Sequence, residues 1–213
     1  EVVLNPLVYA REPYERYVER WARTGLEAVL IGMNPGPFGM AQTGVPFGDV
    51  ERVTRFLEIE GRVKRPPREH PKRPVRGFDI GRKEVSGQRL WGWAEQRFGT
   101  ADRFFSRVFV LNYCPLVFLE ASGRNRTPDK LPAPEREKLF AACDRALRDC
   151  VESLAPRFAV GIGAFAAKRA KDALAGLDVR VGRILHPSPA SPAANRGWAP
   201  QADRQLTELG IEL

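Results

Sequence analysis

The chain has 213 residues and a formal net charge of +8, and 43% of its residues are hydrophobic. This composition is typical of one ordinary globular domain, and no run of about 18 apolar residues is present to span a membrane. Three cysteines and two histidines exclude a disulfide-rich scaffold and argue against a zinc or iron–sulfur site. The excess of basic residues indicates a polyanionic partner.

Helices and strands alternate in the predicted order of elements. Apolar residues recurring at spacings of three and four predict helices over residues 12–23, 49–59, 86–98, 134–154, 164–174 and 194–209. Asp49 and Ser86 are the expected N-caps of the second and third helices. A short apolar run that enters a glycine- and proline-rich loop predicts a buried strand over residues 27–32, and three further strands are predicted over residues 107–111, 158–162 and 179–185.

This alternation determines the predicted fold class. Strands that are each followed by a helix form a parallel sheet covered on both faces. We therefore predict an α/β fold with three α/β/α layers around a central four-stranded parallel sheet. The chain is expected to be a single domain over residues 1–213.

The segment from Gly61 to Lys83 concentrates the positive charge. It contains nine Lys and Arg residues against Glu69 and Asp79, which leaves a net charge of +7, and four prolines interrupt it. Because proline cannot sit inside a helix or a central strand, the segment is predicted to form an exposed loop that tracks a phosphate backbone. A solubilising insertion is the alternative interpretation.

Three unusual loops leave the predicted strands at their carboxyl ends: Gly32–Gly48, Asn112–Leu116 and His186–Asn195. In open parallel sheets, ligands gather at these ends of the strands. Asn34, Asn112 and His186 each lie at or within two residues of a strand end, so we expect the three side chains to meet in one pocket. The first loop has neither the Gly-Lys-Ser/Thr sequence of a P-loop nor the glycine spacing of a dinucleotide fingerprint.

Together, these loops resemble the single-strand-selective monofunctional uracil-DNA glycosylase family, a branch of the uracil-DNA glycosylase superfamily. The motifs that carry the resemblance are Gly32–Gly48, Asn112–Leu116 and His186–Trp198, in this order. The resemblance implies the superfamily's fold and an enzyme that flips uracil out of DNA and hydrolyses its N-glycosidic bond, which initiates base excision repair. It also implies that no metal or cofactor takes part.

The resemblance implies a role at the base for four residues. Asn34 positions the attacking water and His186 donates a hydrogen bond to the pyrimidine carbonyl, so these two are the expected catalytic residues. Asn112 reads the Watson–Crick edge of uracil, and Phe47 stacks on the ring. From the residues alone, the alternatives are a histidine with satisfied hydrogen bonds at a strand end, a turn-forming asparagine and a core phenylalanine.

Two further positions are implied to shape the pocket near C5 of the pyrimidine, Gly36 and Met40. Because Gly36 has no side chain, it leaves room for a 5-substituent or an ordered water, and we expect 5-hydroxymethyluracil to be a second substrate. The carboxylate pair of the sugar hydrolases is absent from these loops. The nearest acid, Asp49, is expected to serve as a helix cap.

The loop after His186 is expected to face the duplex, because family members use it as a wedge that fills the space left by the flipped base. The expected DNA contacts are Pro187, Ser188, Pro189, Ala190, Ser191, Asn195 and Arg196. Ala190 stands where the vertebrate pattern has arginine, and a small side chain can neither fill the stack nor pair with a phosphate. We therefore expect a preference for substrates that are already unpaired.

Two other functions fit the same sequence. Altered pocket edges would shift specificity toward deaminated purines such as xanthine or hypoxanthine, and loss of catalysis would leave a DNA-binding module. The expected partner is single- or double-stranded DNA with a damaged base, with no membrane partner, and the expected state is a monomer. The first residues show no secretory signal, so we expect a cytoplasmic, nucleoid-associated protein in a bacterium or a nuclear protein in a eukaryote.

Overall fold

The computed structural model describes residues 1–213, which contain seven strands and ten α-helices. The strands are β1 (Val2–Leu4), β2 (Ala28–Gly32), β3 (Val108–Asn112), β4 (Val117–Leu119), β5 (Asn125–Arg126), β6 (Phe158–Ile162) and β7 (Arg180–Ile184). The helices are α1 (Pro6–Tyr9), α2 (Arg11–Trp21), α3 (Met40–Thr43), α4 (Val50–Arg55), α5 (Val85–Phe98), α6 (Ala101–Phe105), α7 (Ala133–Leu154), α8 (Ala164–Ala173), α9 (Pro192–Asn195) and α10 (Trp198–Glu208).

Four strands form a parallel sheet in the order β3-β2-β6-β7. Strands β2 and β6 lie at its centre and are buried along their whole length, which explains why each is an unbroken apolar run in the sequence. The register pairs Gly32 with Asn112 at the carboxyl ends of β2 and β3. The predicted α/β fold with a four-stranded parallel sheet is therefore confirmed, and the loops that follow these strands emerge at one edge.

A second sheet, antiparallel and ordered β1-β4-β5, is absent from the sequence-based prediction. Its strands have only two or three residues, too few for an alternating pattern to be recognised. Apolar side chains of β1 and β4 pack with Tyr9 and Val75 in a small separate cluster. The sheet holds Asn125 beside the loop after β2, where Asn125 Nδ2 donates a hydrogen bond to the Pro35 carbonyl at 3.1 Å.

Of the two predicted N-caps, Asp49 lies at the predicted position and Ser86 does not. Asp49 occupies the N-cap position of α4 without capping it, and its Oδ2 instead accepts a hydrogen bond from the Glu84 N–H at 2.9 Å. Helix α4 ends at Arg55, short of the predicted residue 59. Glu84, rather than Ser86, caps α5, because its Oε1 accepts a hydrogen bond from the Ser86 N–H at 3.3 Å.

The predicted C-terminal helix is divided into α9 and α10. Gly197 lies between them with φ of +107°, a conformation that glycine adopts and that interrupts a helix. Trp198 begins α10, and its indole Nε1 donates a hydrogen bond to the Leu185 carbonyl at 2.7 Å, which ties the helix to the end of β7. No helix of the chain combines the length and the apolar character needed to cross a bilayer.

The basic segment, Gly61–Lys83, is irregular, as predicted, but its backbone is anchored. His70 is only 4% exposed, and its Nε2 lies 3.2 Å from the Ala121 carbonyl oxygen. Gln42 of α3 holds the segment at a second place: its Nε2 donates to the Pro74 carbonyl at 3.1 Å, and its Oε1 accepts from the Arg76 N–H at 2.8 Å. Most of the charged side chains of the segment are exposed, while its backbone is docked on the protein.

Candidate active site

A cavity of about 350 Å³ opens at the carboxyl edge of the central sheet. Asn34 from the loop after β2, Asn112 from the end of β3 and His186 from the loop after β7 all line it, so the expected convergence of the three side chains is present. The same cavity is lined by the other predicted base-contacting residues, Gly36, Met40 and Phe47. No group of three or more His, Cys, Asp and Glu side chains is arranged to hold a metal ion.

The His186 ring is held in one tautomer. Its Nδ1 accepts a hydrogen bond from the backbone N–H of Ser188 at 3.0 Å, so the proton of the neutral ring is on Nε2. Burial lowers the pKa of His186 below its usual value near 6.5, because a charged imidazolium loses hydration in the cavity wall. The site therefore presents a neutral N–H donor at neutral pH.

We expect an NMR titration to give His186 a pKa below 6.5 and an Nε2–H tautomer, as the Ser188 hydrogen bond and the burial require. Because the pKa of His186 is lower in the folded chain than in the unfolded chain, acidification protonates the unfolded chain first. The stability that the neutral, buried His186 contributes above the unfolded pKa is therefore lost as the pH falls through the folded pKa. His186→Gln identifies the signal, since His70 is the only other histidine. A pKa at or above 6.5, or an Nδ1–H tautomer, would contradict the assignment.

Asn112 keeps both of its polar atoms available for a ligand. Its Nδ2 contacts the Met40 sulfur at 3.3 Å, and sulfur is a weak acceptor that a carbonyl oxygen readily replaces. Its Oδ1 packs against the Cα of Gly32, so close that a methyl group on Gly32 would collide with it. The amide is held in place by packing rather than by strong hydrogen bonds within the protein.

The side chain of Asn34 is oriented by a hydrogen bond that its amide nitrogen donates. Its Nδ2 donates a hydrogen bond to the Leu116 carbonyl at 3.2 Å, which leaves Oδ1 free to accept a hydrogen bond from a water in the cavity. Asn125 lines the cavity as well, and its buried Oδ1 has no hydrogen-bond partner within the chain. Sequence reasoning missed Asn125, because it lies on a two-residue strand that no local pattern predicts.

Phe47 is held in a strained backbone conformation. Its φ is +54°, in the left-handed region that bulky residues rarely adopt. Its carbonyl oxygen accepts hydrogen bonds from Trp91 Nε1 at 3.1 Å and from the Asp49 N–H at 2.8 Å, and these contacts maintain the strain. The residue is 9% exposed, and its ring packs against Gly32 with its centroid 6.1 Å from that of His186.

Glu84 brings a carboxyl group to the cavity that sequence reasoning missed. It packs against the glycine-rich loop so closely that a Cβ on Gly36 would lie 2.6 Å from Glu84 Oε2. The space predicted to be open at Gly36 is therefore occupied by Glu84, which a 5-substituent on this side would contact. Burial raises the pKa of Glu84, opposed by hydrogen bonds from Ser86 and reinforced by the charge of Asp49. A raised pKa favours the neutral carboxyl, which suits a cavity in which negative charge develops on a ligand.

The predicted DNA-contacting loop is supported from behind by Arg89. The guanidinium of Arg89 donates to the Pro187 carbonyl at 3.0 Å and to Asn195 Oδ1 at 2.8 Å, and Asn195 Nδ2 donates to the Pro189 carbonyl at 2.9 Å. Pro187 is buried, whereas Pro189 and Ala190 are exposed.

The remaining members of this loop divide between support and surface. Ser188 Oγ accepts a hydrogen bond from the Ala190 N–H at 3.1 Å, and Ser191 caps α9 by accepting from the Ala194 N–H. Arg196 is exposed after α9. Pro187 and the Asn195 side chain thus hold the shape of the loop, while Pro189, Ala190 and Arg196 form its outer surface.

The fold and the cavity define a protein of the uracil-DNA glycosylase class, and residues 21–206 match the model of the uracil DNA glycosylase superfamily. Curated relatives named single-strand selective monofunctional uracil-DNA glycosylase, from Rattus norvegicus, Mus musculus and Bos taurus, are 52%, 51% and 50% identical over 99% of this chain. The alignments cover 76%, 76% and 78% of those proteins. The chain therefore belongs to the single-strand-selective monofunctional uracil-DNA glycosylase family.

A solved structure agrees with the fold. The crystal structure of wild-type SMUG2 from Pedobacter heparinus superimposes with a TM-score of 0.70, covering 98% of this chain and 87% of the other at 17% sequence identity. At this identity the likeness shows the fold alone.

Proposed function

We propose that the protein is a monofunctional DNA glycosylase that excises uracil from DNA and so initiates base excision repair, with 5-hydroxymethyluracil as a second substrate. One observation carries the proposal: Asn34, Asn112 and His186, supplied by three distant loops, line one cavity of about 350 Å³. Binding of DNA alone does not require two amides and a neutral imidazole in one cavity, so an inactive DNA-binding module is disfavoured.

The reaction breaks the bond between C1′ of the sugar and N1 of the base. The bonding electrons leave with the base as an anion while the sugar becomes cationic at C1′. A water adds its oxygen to C1′ and releases a proton to solvent, and the base anion takes up a proton from solvent to give uracil. His186 Nε2–H donates to the pyrimidine carbonyl where the negative charge grows, which stabilises the transition state more than the ground state. The free Oδ1 of Asn34 accepts a hydrogen bond from the water and orients it toward C1′.

Water is the proposed nucleophile because the cavity offers no amine. No lysine lines it, and a lyase step through a Schiff base needs a lysine or another amine. The products are therefore free uracil and an intact strand with an abasic site.

Asn112 supplies the proposed specificity for uracil. Its Oδ1 accepts from N3–H, and its Nδ2 exchanges the weak Met40 sulfur contact for the O4 carbonyl oxygen. Cytosine presents an acceptor at N3 and a donor at N4, so the same amide orientation meets cytosine with both contacts mismatched. A mismatch of buried polar groups is strongly unfavourable, because each is left without a partner.

Single-stranded DNA is the proposed preferred form of the substrate. The relatives carry single-strand selectivity in their names, and Ala190 offers only a methyl group at the exposed tip of the wedge loop. Opening a duplex requires a side chain that replaces the flipped base in the stack. A small side chain does not replace the stacking contacts of the flipped base, so the free energy of unstacking is not offset in double-stranded substrates.

Single-turnover excision tests the proposal on oligonucleotides that contain uracil, 5-hydroxymethyluracil, cytosine, xanthine or hypoxanthine, each as a single strand and in a duplex. We expect rapid release of uracil and slower release of 5-hydroxymethyluracil, both faster from the single strand, and no release of cytosine. Purine release exceeding that of uracil would instead favour the altered-specificity alternative. Uracil release without 5-hydroxymethyluracil release would remove the second substrate only.

A further inference from the structure

The basic segment, Gly61–Lys83, carries charge that the protein itself does not neutralise. Of its nine Lys and Arg side chains, only Lys83 forms an ion pair, with Glu51 at 4.0 Å. The two acids of the segment do not compensate, since neither Glu69 nor Asp79 pairs with a basic group, and Glu69 Oε1 accepts from the Val75 N–H. Because the backbone is anchored, these charges are held in a fixed place, where an anionic partner would bind without first ordering the chain.

Two of these charges are held on one aromatic ring beside the cavity. The guanidinium carbons of Arg82 and Arg73 lie 4.2 Å and 5.3 Å from the centroid of the Phe38 ring. Phe38 is half-buried in the glycine-rich loop, between Gly36 and Gly39, and both of these glycines line the cavity. Cation–π contacts thus hold the two arginines on the loop whose glycines line the cavity.

The pair of guanidinium groups lacks a counter-ion. Neither Arg73 nor Arg82 has a carboxylate within ion-pair distance, although Glu84 packs on the same loop from the side of the cavity. Arg73 Nη1 donates to the Lys72 carbonyl at 2.8 Å, and its buried Nε has no partner. The two guanidinium groups lie near one ring and have N–H donors without acceptors in the protein. A phosphate oxygen would accept hydrogen bonds from these donors and neutralise their charge.

We propose that Arg73 and Arg82, positioned by Phe38, form a binding site for one phosphodiester of the substrate strand, close to the flipped nucleotide. The proposal rests on the proposed function and adds to it a defined subsite on the strand that carries the damaged base. This subsite contacts only the strand that carries the damaged base, so it binds single-stranded DNA without an opposite strand. It supplies the phosphate contact that Ala190 cannot make on the wedge loop.

Position-by-position neutralisation of the DNA backbone tests the site. A single-stranded oligonucleotide with one tetrahydrofuran abasic analogue is prepared as a series, each member with one methylphosphonate in place of one phosphodiester near the analogue. We expect wild-type binding to weaken on the order of tenfold at one particular position, where a charge-assisted contact is lost. The variant Arg73→Gln/Arg82→Gln should bind the strand without methylphosphonate about as weakly as the wild type binds the strand modified at that position. The methylphosphonate at that position should then weaken binding of the variant no further.

The matched control is Arg145→Gln/Arg204→Gln, which removes two exposed arginines that form no ion pair and lie outside the basic segment. The control should keep the position-specific loss of the wild type. Thermal unfolding confirms that each variant is folded, and Arg82→Gln alone provides the test if the double variant is not. Equal losses in the variant and the wild type at every position, or no position-specific loss in the wild type, would overturn the site.

The outcome is separable from that of the proposed function. If the wild type releases no uracil from any substrate, the proposed function fails whatever the methylphosphonate series shows. If the wild type releases uracil but each methylphosphonate weakens binding of the double variant as much as it weakens binding of the wild type, the phosphate site alone is rejected.

Discussion

Replacement of His186 with alanine is expected to slow single-turnover release of uracil by about 10²–10³-fold, the cost of removing one preorganised donor to a developing anion. The concentration of DNA at half-saturation should change little, because the donor interacts most strongly in the transition state. The expectation follows from the Nε2–H tautomer that the Ser188 N–H holds in place. Pre-steady-state kinetics with enzyme in excess measures both quantities.

The leaving group provides the internal control for this variant. A single-stranded substrate with 5-fluorouracil releases a more stable anion and depends less on a hydrogen-bond donor, so the deficit of His186→Ala should be smaller than with uracil. An equal deficit for both bases would show that the imidazole acts through the shape of the cavity instead. A near-normal rate with uracil would reject the donor role altogether.

The central strands β2 and β6 are readable from the sequence because they are buried on both faces. The run from Phe158 to Ile162 is predicted at its observed bounds, and β2 differs by one residue. Such runs are apolar throughout and end at glycine- or proline-rich loops, so their position is encoded locally. Asn34 and Asn112 could be predicted for the same reason, since each stands close to the end of an apolar run. His186 follows the partly exposed edge strand β7 and is indicated instead by the motif His186–Trp198.

The parts of the site that depend on tertiary packing could not be predicted in the same way. Glu84 reaches the cavity because the basic segment returns to the glycine-rich loop, where Asp49 binds its backbone N–H. Asn125 reaches it through a strand of two residues. Neither position lies in a periodic pattern or a motif, and both are defined by contacts with residues more than thirty positions away.

The close packing under the cavity makes Gly32 a sensitive position. Gly32 ends β2 and pairs with Asn112 in the sheet. A Cβ at this position would collide with Asn112 Oδ1 and lie 2.7 Å from the Phe47 ring. The strand is buried on both faces, so the backbone cannot move away, and the two side chains must move instead.

We therefore expect Gly32→Ala to reduce uracil release on the order of 100-fold, because displacement of reacting groups by about 1 Å has this effect. Stability should fall by roughly 1–3 kcal/mol, as for other overpacked core positions. Binding to a strand with an abasic analogue should change little, since no base then enters the cavity. Thermal unfolding, excision kinetics and binding by fluorescence anisotropy measure the three effects.

Gly92→Ala in α5 is the matched control, because its added methyl group meets only the guanidinium of Arg52, with Nη2 at an ordinary 3.4 Å. This variant should keep its excision rate and gain some stability, since alanine favours a helix over glycine by up to about 1 kcal/mol. If folded Gly32→Ala released uracil as fast as Gly92→Ala, then excision would not depend on the observed positions of Asn112 and Phe47. The positioning of the base by these two side chains would then have to be abandoned, whereas the donor role of His186 would remain open to its own test.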